Sequence, residues 1–275
     1  MKKCSIFCGV AVAGGAVAFL LRMLQNRTGF ETATGLPVSG NLPALALVLL
    51  LAVAAAALFL LSRGWPAGEG PAFPADFSTD DPKQLTLPIL GSSLIGLAGL
   101  ADLYEGLTHG NLLFQLQTAA DPYSFVMTTE SLFSSRLQLL LGALALLAAA
   151  ALLLSTVACR RKDTETASNP AVLLVVPVAL VARLVLTYRA DSINPALAAY
   201  YVELLALIFL TLAFYRLSSF AFAAGNLRRF TFYSGMAILL ALAALADGGP
   251  HLSSLLLYAG GAVTLLGFLF RIPAE

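Results

Sequence analysis

Apolar residues in this chain neither alternate nor keep to one helical face; they come in long runs that are apolar on all sides. Eight such runs cover residues 4–24, 43–62, 86–103, 136–158, 170–188, 195–217, 229–246 and 252–270. Each approaches the roughly 20 residues that a helix needs to cross a bilayer. Period-two alternation, the mark of a barrel strand, is missing from all of them. Lipid demands that backbone hydrogen bonds stay within the spanning segment, which helices provide. The pattern predicts an all-α integral membrane protein, a polytopic bundle of eight transmembrane helices.

Composition agrees with this reading. Of 275 residues, 59% are apolar and 11% charged, whereas soluble domains carry about 25% charge. Lys and Arg set the expected orientation, because cytoplasmic loops retain them. With the N-terminus inside, eleven of the sixteen basic residues fall on the cytoplasmic side and four outside, with Arg183 within a span. The expectation is a multi-pass protein of the cell membrane with both termini cytoplasmic. Met1-Lys2-Lys3 before an apolar run, with Ala16-Val17-Ala18 behind it, also fits a signal peptide. The run continues through Phe19, Leu20 and Leu21, which favours a first span.

The two halves echo one another. Pro43-Ala44-Leu45-Ala46 opens the second run and Pro195-Ala196-Leu197-Ala198 the sixth; the third ends in Leu100-Ala101-Asp102 and the seventh in Leu245-Ala246-Asp247. Ser134-Ser135 with Gly142-Ala143 matches Ser253-Ser254 with Gly261-Ala262. Two parallel four-helix repeats, residues 1–158 and 170–275, are the expectation, related by an axis along the membrane normal. Abundant Leu and Ala supply the competing explanation. The first half then carries two insertions: a Pro- and Gly-rich cytoplasmic loop, 62–88, with Glu69, Asp76, Asp80 and Asp81, and an outer segment, 104–135. Within the latter, 111–116 is amphipathic enough to lie on the membrane surface before a turn at Asp121-Pro122. A re-entrant segment is the other structural reading.

Two charges stand alone inside apolar stretches, Arg183 and Glu203. A charge near the bilayer centre costs roughly 3 kcal/mol on insertion scales, so it normally has a partner, a cavity or a task. Both lie roughly 7 to 12 Å from the same membrane face at 1.5 Å per residue, on helices joined by a short connection. They are expected to meet as a pair. Arg22, Asp102, Glu105, Tyr188, Tyr201 and Asp247 collect at the same helix ends, with Tyr104, Tyr200, His109 and His251. Together they are expected to line a polar, outward-facing site; interfacial anchoring is the plainer explanation for each residue alone.

Little else carries chemistry. Catalytic and phosphate-binding motifs are missing, so no enzyme is expected, and no residue spacing calls for a metal or a cofactor. No basic patch with interleaved aromatics supports nucleic-acid binding. Cys4, Cys8 and Cys159 are expected to be reduced thiols, and Asn26-Arg27-Thr28 an unused glycosylation triplet. The sequence points to a small transporter-like or solute-binding protein in the lipid bilayer, its ligand a small polar solute. The alternative is a non-catalytic sensor, or an assembly subunit for another membrane protein, whose buried charges are structural.

Overall fold

The computed structural model describes residues 2–31, 36–66, 73, 77–79, 82–117, 124–159, 170–191, 197–247 and 252–272. Among them are eight helices long and apolar enough to cross a membrane. They are α1 (Lys2–Thr28), α2 (Leu42–Ser62), α3 (Pro82–Gln117), α4 (Ser124–Ala158), α5 (Val175–Asp191), α6 (Tyr201–Ala221), α7 (Leu227–Ala244) and α8 (Leu252–Leu269). The polytopic all-α bundle read from the sequence is the fold observed. Exposed leucines, valines and isoleucines line the outward faces of α1 and α2, a surface suited to lipid.

Five helices form a ring in the order α3, α4, α5, α6, α8, with α8 packed back on α3. α7 lies behind α6 and α8, α1 packs on α7, and α2 flanks both α1 and α7. The bundle thus has a ring and a side layer. α3 and α4 of the first half and α5, α6 and α8 of the second form the ring, while α1, α2 and α7 stand outside it. Cys4 Sγ donates to the Leu269 carbonyl at 3.0 Å, which puts the start of α1 beside the end of α8. We call this end the terminal face and the opposite one the distal face.

α3 is joined to its neighbours by backbone contact. A Cβ on Gly99 would sit 2.8 Å from the Gly142 carbonyl oxygen of α4, and one on Gly91 would sit 2.6 Å from the Gly260 carbonyl oxygen of α8. Where the hydrophobic effect cannot drive helices together, such small-residue crossings bring backbones close enough for dispersion to hold them.

The start of α3 corrects the expected loop. The helix begins at Pro82, within the segment read as a loop, and Pro88, where that loop was to end, lies inside the helix. Proline has no N–H to give the carbonyl four residues back, so Gln84 O loses its helical donor. Arg271, just beyond α8, replaces it: Nη2 and Nε donate to Gln84 O at 3.1 and 3.3 Å. Farther back in the same segment, Phe77 is fully buried and touches Phe73, Phe220 and Phe268, ring centroids 5.4 to 6.4 Å apart. Thr79 N–H donates to Cys159 O at 3.2 Å. These described residues close the terminal face of the ring across α4, α6 and α8. Glu69, Asp76, Asp80 and Asp81 lie outside the described residues.

The outer segment also differs from expectation. The backbone stays helical to Gln117 and again from Ser124, so the surface helix expected at 111–116 is a continuation of α3. At 1.5 Å per residue the 36-residue α3 is about 54 Å long, well beyond a hydrocarbon core of roughly 30 Å. No breaker stops it: Gly110 is tolerated in a helix, and α4 continues alongside. The Asp121-Pro122 turn lies outside the described residues.

Two predictions concern these joints. Gly99→Val puts side-chain atoms where a neighbouring backbone already is, and costs at least ~2 kcal/mol in unfolding free energy. Gly96→Ala, where the nearest atom to a Cβ is 3.5 Å away, stays within about 0.5 kcal/mol. Arg271→Ala leaves Gln84 O without a donor and costs about 1 to 2 kcal/mol; in a Pro88→Ala background, where the helical N–H returns, that cost shrinks. Unfolding of the four variants and the double variant in mixed micelles checks both.

Candidate functional site

Among the described residues, three of the four buried charged side chains, Arg22, Asp102 and Arg183, lie at the distal face. They form two arginine-centred clusters. In the side layer, Arg22 of α1 is fully buried. Its Nε donates to Asp247 Oδ1, Nη1 to Gln25 Oε1 at 3.0 Å and to Ala198 O at 2.9 Å, and Nη2 to Ala199 O. The last two acceptors end a short 3₁₀ turn, Leu197–Ala199, that leads into α6. Carbonyls at such an end have no helical donor, and a guanidinium matches them in number and in sign. Tyr201 offers its ring face to the same group, 5.3 Å from centroid to guanidinium carbon. Asn26 adds a hydrogen bond to Asp247 Oδ1 at 3.1 Å and one to Ala246 O at 3.2 Å. Arg22 therefore latches α1 to the start of α6 and the end of α7.

The second cluster lies in the ring. Arg183 of α5 makes an ion pair through Nη1 with Asp102 of α3. Its Nη2 donates to Ser253 Oγ and Ser254 Oγ of α8 at 3.1 and 3.0 Å. Arg183 is 7% exposed and Asp102 2%. α5 is a ring neighbour of neither α3 nor α8, so this side chain crosses the ring and ties three helices together at one end. Two further bonds run round the same rim. The Tyr258 hydroxyl of α8 donates to Glu203 Oε1 of α6 at 2.6 Å, and Gln138 of α4 donates to Glu105 of α3 at 2.7 Å.

Below Arg183 lies a narrow cavity of about 20 Å³, measured as space open to the centre of a water-sized sphere. All five ring helices contribute to its wall, which includes Ile95 of α3, Ala145 and Ala148 of α4, Ala179 of α5, Leu210 of α6 and Gly261 of α8. Among the described residues of that wall, Arg183 is the one charged group. Arg183 thus stands at the distal end of an apolar slot.

Several expected positions come together as the sequence suggested, and one central pairing does not. Arg183 was expected to meet Glu203; its carboxylate is Asp102, and Glu203 accepts from Tyr258. The physical reason is the packing order. α5 and α6 are antiparallel neighbours as predicted, but the Arg183 side chain points into the ring, where Asp102 lies across from it at matching depth. Arg22, Tyr201 and Asp247 form a cluster of their own in the side layer. Glu105 lies farther out, on the rim. Tyr188 is 56% exposed and belongs to neither cluster; Tyr104 is exposed as well. The side chains of His109 and His251 are outside the described residues. Tyr258, Gln25 and Gln138 went unnoticed, and Ser253 and Ser254 were read only as part of the repeat. Their only signal was being polar at the distal ends of apolar helices, where two buried arginines need acceptors.

At the terminal face Cys159 is fully buried. Burial pushes its thiol up to about 11 despite the nearby Arg271, which makes it an inert packing residue at neutral pH.

The fold and these clusters define a polytopic α-helical membrane protein whose ring of five helices is tied across one end by an arginine. Compared with known protein families, curated proteins and solved structures, the chain matches none.

The cross-ring pair generates a prediction. Arg183→Ala or Asp102→Ala leaves one buried charge without its partner and costs about 3 to 5 kcal/mol. The double variant costs much less than the sum. Strictly additive losses in an unfolding double-mutant cycle contradict the pairing, and Glu203→Ala combined with Arg183→Ala is the additive control.

Proposed function

We propose that the protein is a small solute-binding membrane protein of transporter type, with no catalytic step of its own. Its site is the interior of the five-helix ring beneath Arg183. One observation carries this reading: among the described residues, the only charged group in the wall of the ring cavity is also the strut that holds the distal end of the ring closed. A cation placed there binds a solute and, by exchanging partners, opens the path to it. The charge distribution supports a cell-membrane orientation with both termini cytoplasmic and the distal face outside. In this orientation the cavity is shut inward by Phe77 and its aromatic neighbours and outward by the Arg183–Asp102 pair, an occluded arrangement.

A second reading has its own support. Arg22 has acceptors for its Nε and both terminal nitrogens, which is what a purely structural arginine needs; if Arg183 acts likewise, the protein is a non-transporting assembly subunit or sensor for another membrane protein.

Cysteine labelling tests the proposal. In a background with Cys4, Cys8 and Cys159 replaced by serine, single cysteines are placed at Arg63, Thr108, Ala148 and Ala243. An impermeant reagent added outside intact cells is expected to label Thr108→Cys and spare Arg63→Cys. A small permeant thiol reagent is expected to label the cavity position Ala148→Cys slowly, and faster when Arg183→Gln and Asp102→Asn are added together. The buried position outside the cavity, Ala243→Cys, stays unlabelled. If Ala148→Cys is as inert as Ala243→Cys in both backgrounds, the ring interior is not a solute site and the structural reading stands.

A further inference from the structure

Resting on the ring interior as a solute site, we infer that its ligand is a single-chain amphiphile whose head group accepts hydrogen bonds, a carboxylate above all. The wall decides the body of the ligand. Apart from Arg183, its described residues are alanine, leucine, isoleucine, valine, phenylalanine and glycine, with no side-chain hydroxyl, amide or carboxylate among them. A sugar, an amino acid or a hydrated ion entering there would give up its water without replacement, at several kcal/mol per unpaired group. An alkyl chain gives up nothing and gains by burial.

Shape narrows the choice. Ala145, Ala148, Ala179 and Gly261 are small and face the slot from three of its sides; with a volume of only about 20 Å³ the slot is too small for a ring system, and an unbranched chain is the body that needs the least widening. Gly261 is itself closely approached, since a Cβ there would meet Leu210 Cδ2 at 2.8 Å. The slot therefore cannot be widened on the α8 side without moving α6.

Arg183 decides the head. Its guanidinium is donor-only, and the two serine hydroxyls beside it turn their oxygens toward it. The guanidinium has five N–H donors, and Asp102 and the two serines take three of them, so an incoming carboxylate accepts from the remaining donors or from those of the serines and leaves Asp102 its partner. An ammonium head finds only a cation facing it. The sequence-based expectation of a small polar solute is thereby replaced by a solute polar at one end only.

The test uses Ala179→Cys, a cavity position, in the cysteine-free full-length protein held in phosphatidylcholine nanodiscs. Labelling by methyl methanethiosulfonate is followed with decanoate, decylammonium or acetate present. Decanoate is expected to slow labelling severalfold, with decylammonium and acetate without effect. The protection should disappear in the Arg183→Gln/Asp102→Asn variant, whose unfolding is measured alongside. A parallel set of nanodiscs containing lysophosphatidylglycerol, a single-chain bilayer lipid, separates the two sources of such a ligand. Protection there without decanoate assigns the head and chain to a bilayer lipid, and protection only with decanoate assigns them to a soluble amphiphile. If Ala179→Cys reacts but acetate or decylammonium protects as well as decanoate, or nothing protects, the ligand class is wrong while the solute site survives. If Ala179→Cys is inert under every condition, the site and the ligand class fall together.

Discussion

The guanidinium of Arg183 is the point on which the arrangement of the ring depends. Around most of the ring, neighbouring helices hold one another by ordinary side-chain packing, and nothing in that packing requires a gap in the middle. Arg183 supplies a contact of a different kind: it reaches across to Asp102 and to the two serines that open α8, fixing helices that do not touch as neighbours. A side chain of that length spans the distal end, and below it α5 presents to the slot only the shorter Val176, Ala179 and Leu180, which leave it unfilled. The cavity and the strut are thus one feature. Desolvating an arginine and an aspartate is expensive, and the pair is weak as a source of net stability. What it provides is a specified geometry and a joint that an acceptor of the same chemistry can undo.

The two faces of the bundle use different devices to the same end. At the distal face the closing groups are polar and directional: Arg22 on the ends of two 3₁₀ turns, Arg183 on Asp102, Tyr258 on Glu203. At the terminal face they are aromatic, with Phe77 among Phe220 and Phe268. The chain also compensates a local defect there, since Arg271 supplies the donor that Pro88 withholds from Gln84. A ring closed by exchangeable hydrogen bonds on one side and by packed rings on the other is easier to open at the polar end, where an entering ligand can replace each lost bond.

Much of this was legible in the sequence, and what was not has a definite cause. The eight spans follow from run length alone, and Asp102, Asp247, Arg22 and Arg183 were all placed at one membrane face by counting residues from helix ends. Depth, however, is a single coordinate. Asp102, Glu203 and Asp247 satisfy it for Arg183 within a turn or so, and choosing among them needs the order of helices around the ring, which no periodicity in these uniformly apolar helices encodes. Short connections predicted neighbours correctly for α5 and α6, yet the partner of Arg183 lay across the ring. Pro88 was placed at the end of a Pro- and Gly-rich loop; that a helix runs through it depends on Arg271, far along the chain, which supplies the donor that proline lacks. Which glycine meets which, Gly99 with Gly142 and Gly91 with Gly260, became visible only once backbones were in contact.

The central claim is that Arg183 and Asp102 hold the distal end of the ring across its diameter. Pulsed electron–electron resonance between spin labels at two exposed positions, Leu107 on α3 and Val185 on α5, measures that diameter directly. The native pair should give one narrow distance distribution, and Arg183→Gln with Asp102→Asn should give a broader one shifted to longer distance in a protein that remains folded. An unchanged distribution in the double variant would mean that packing alone sets the ring, and that the arginine is not its strut.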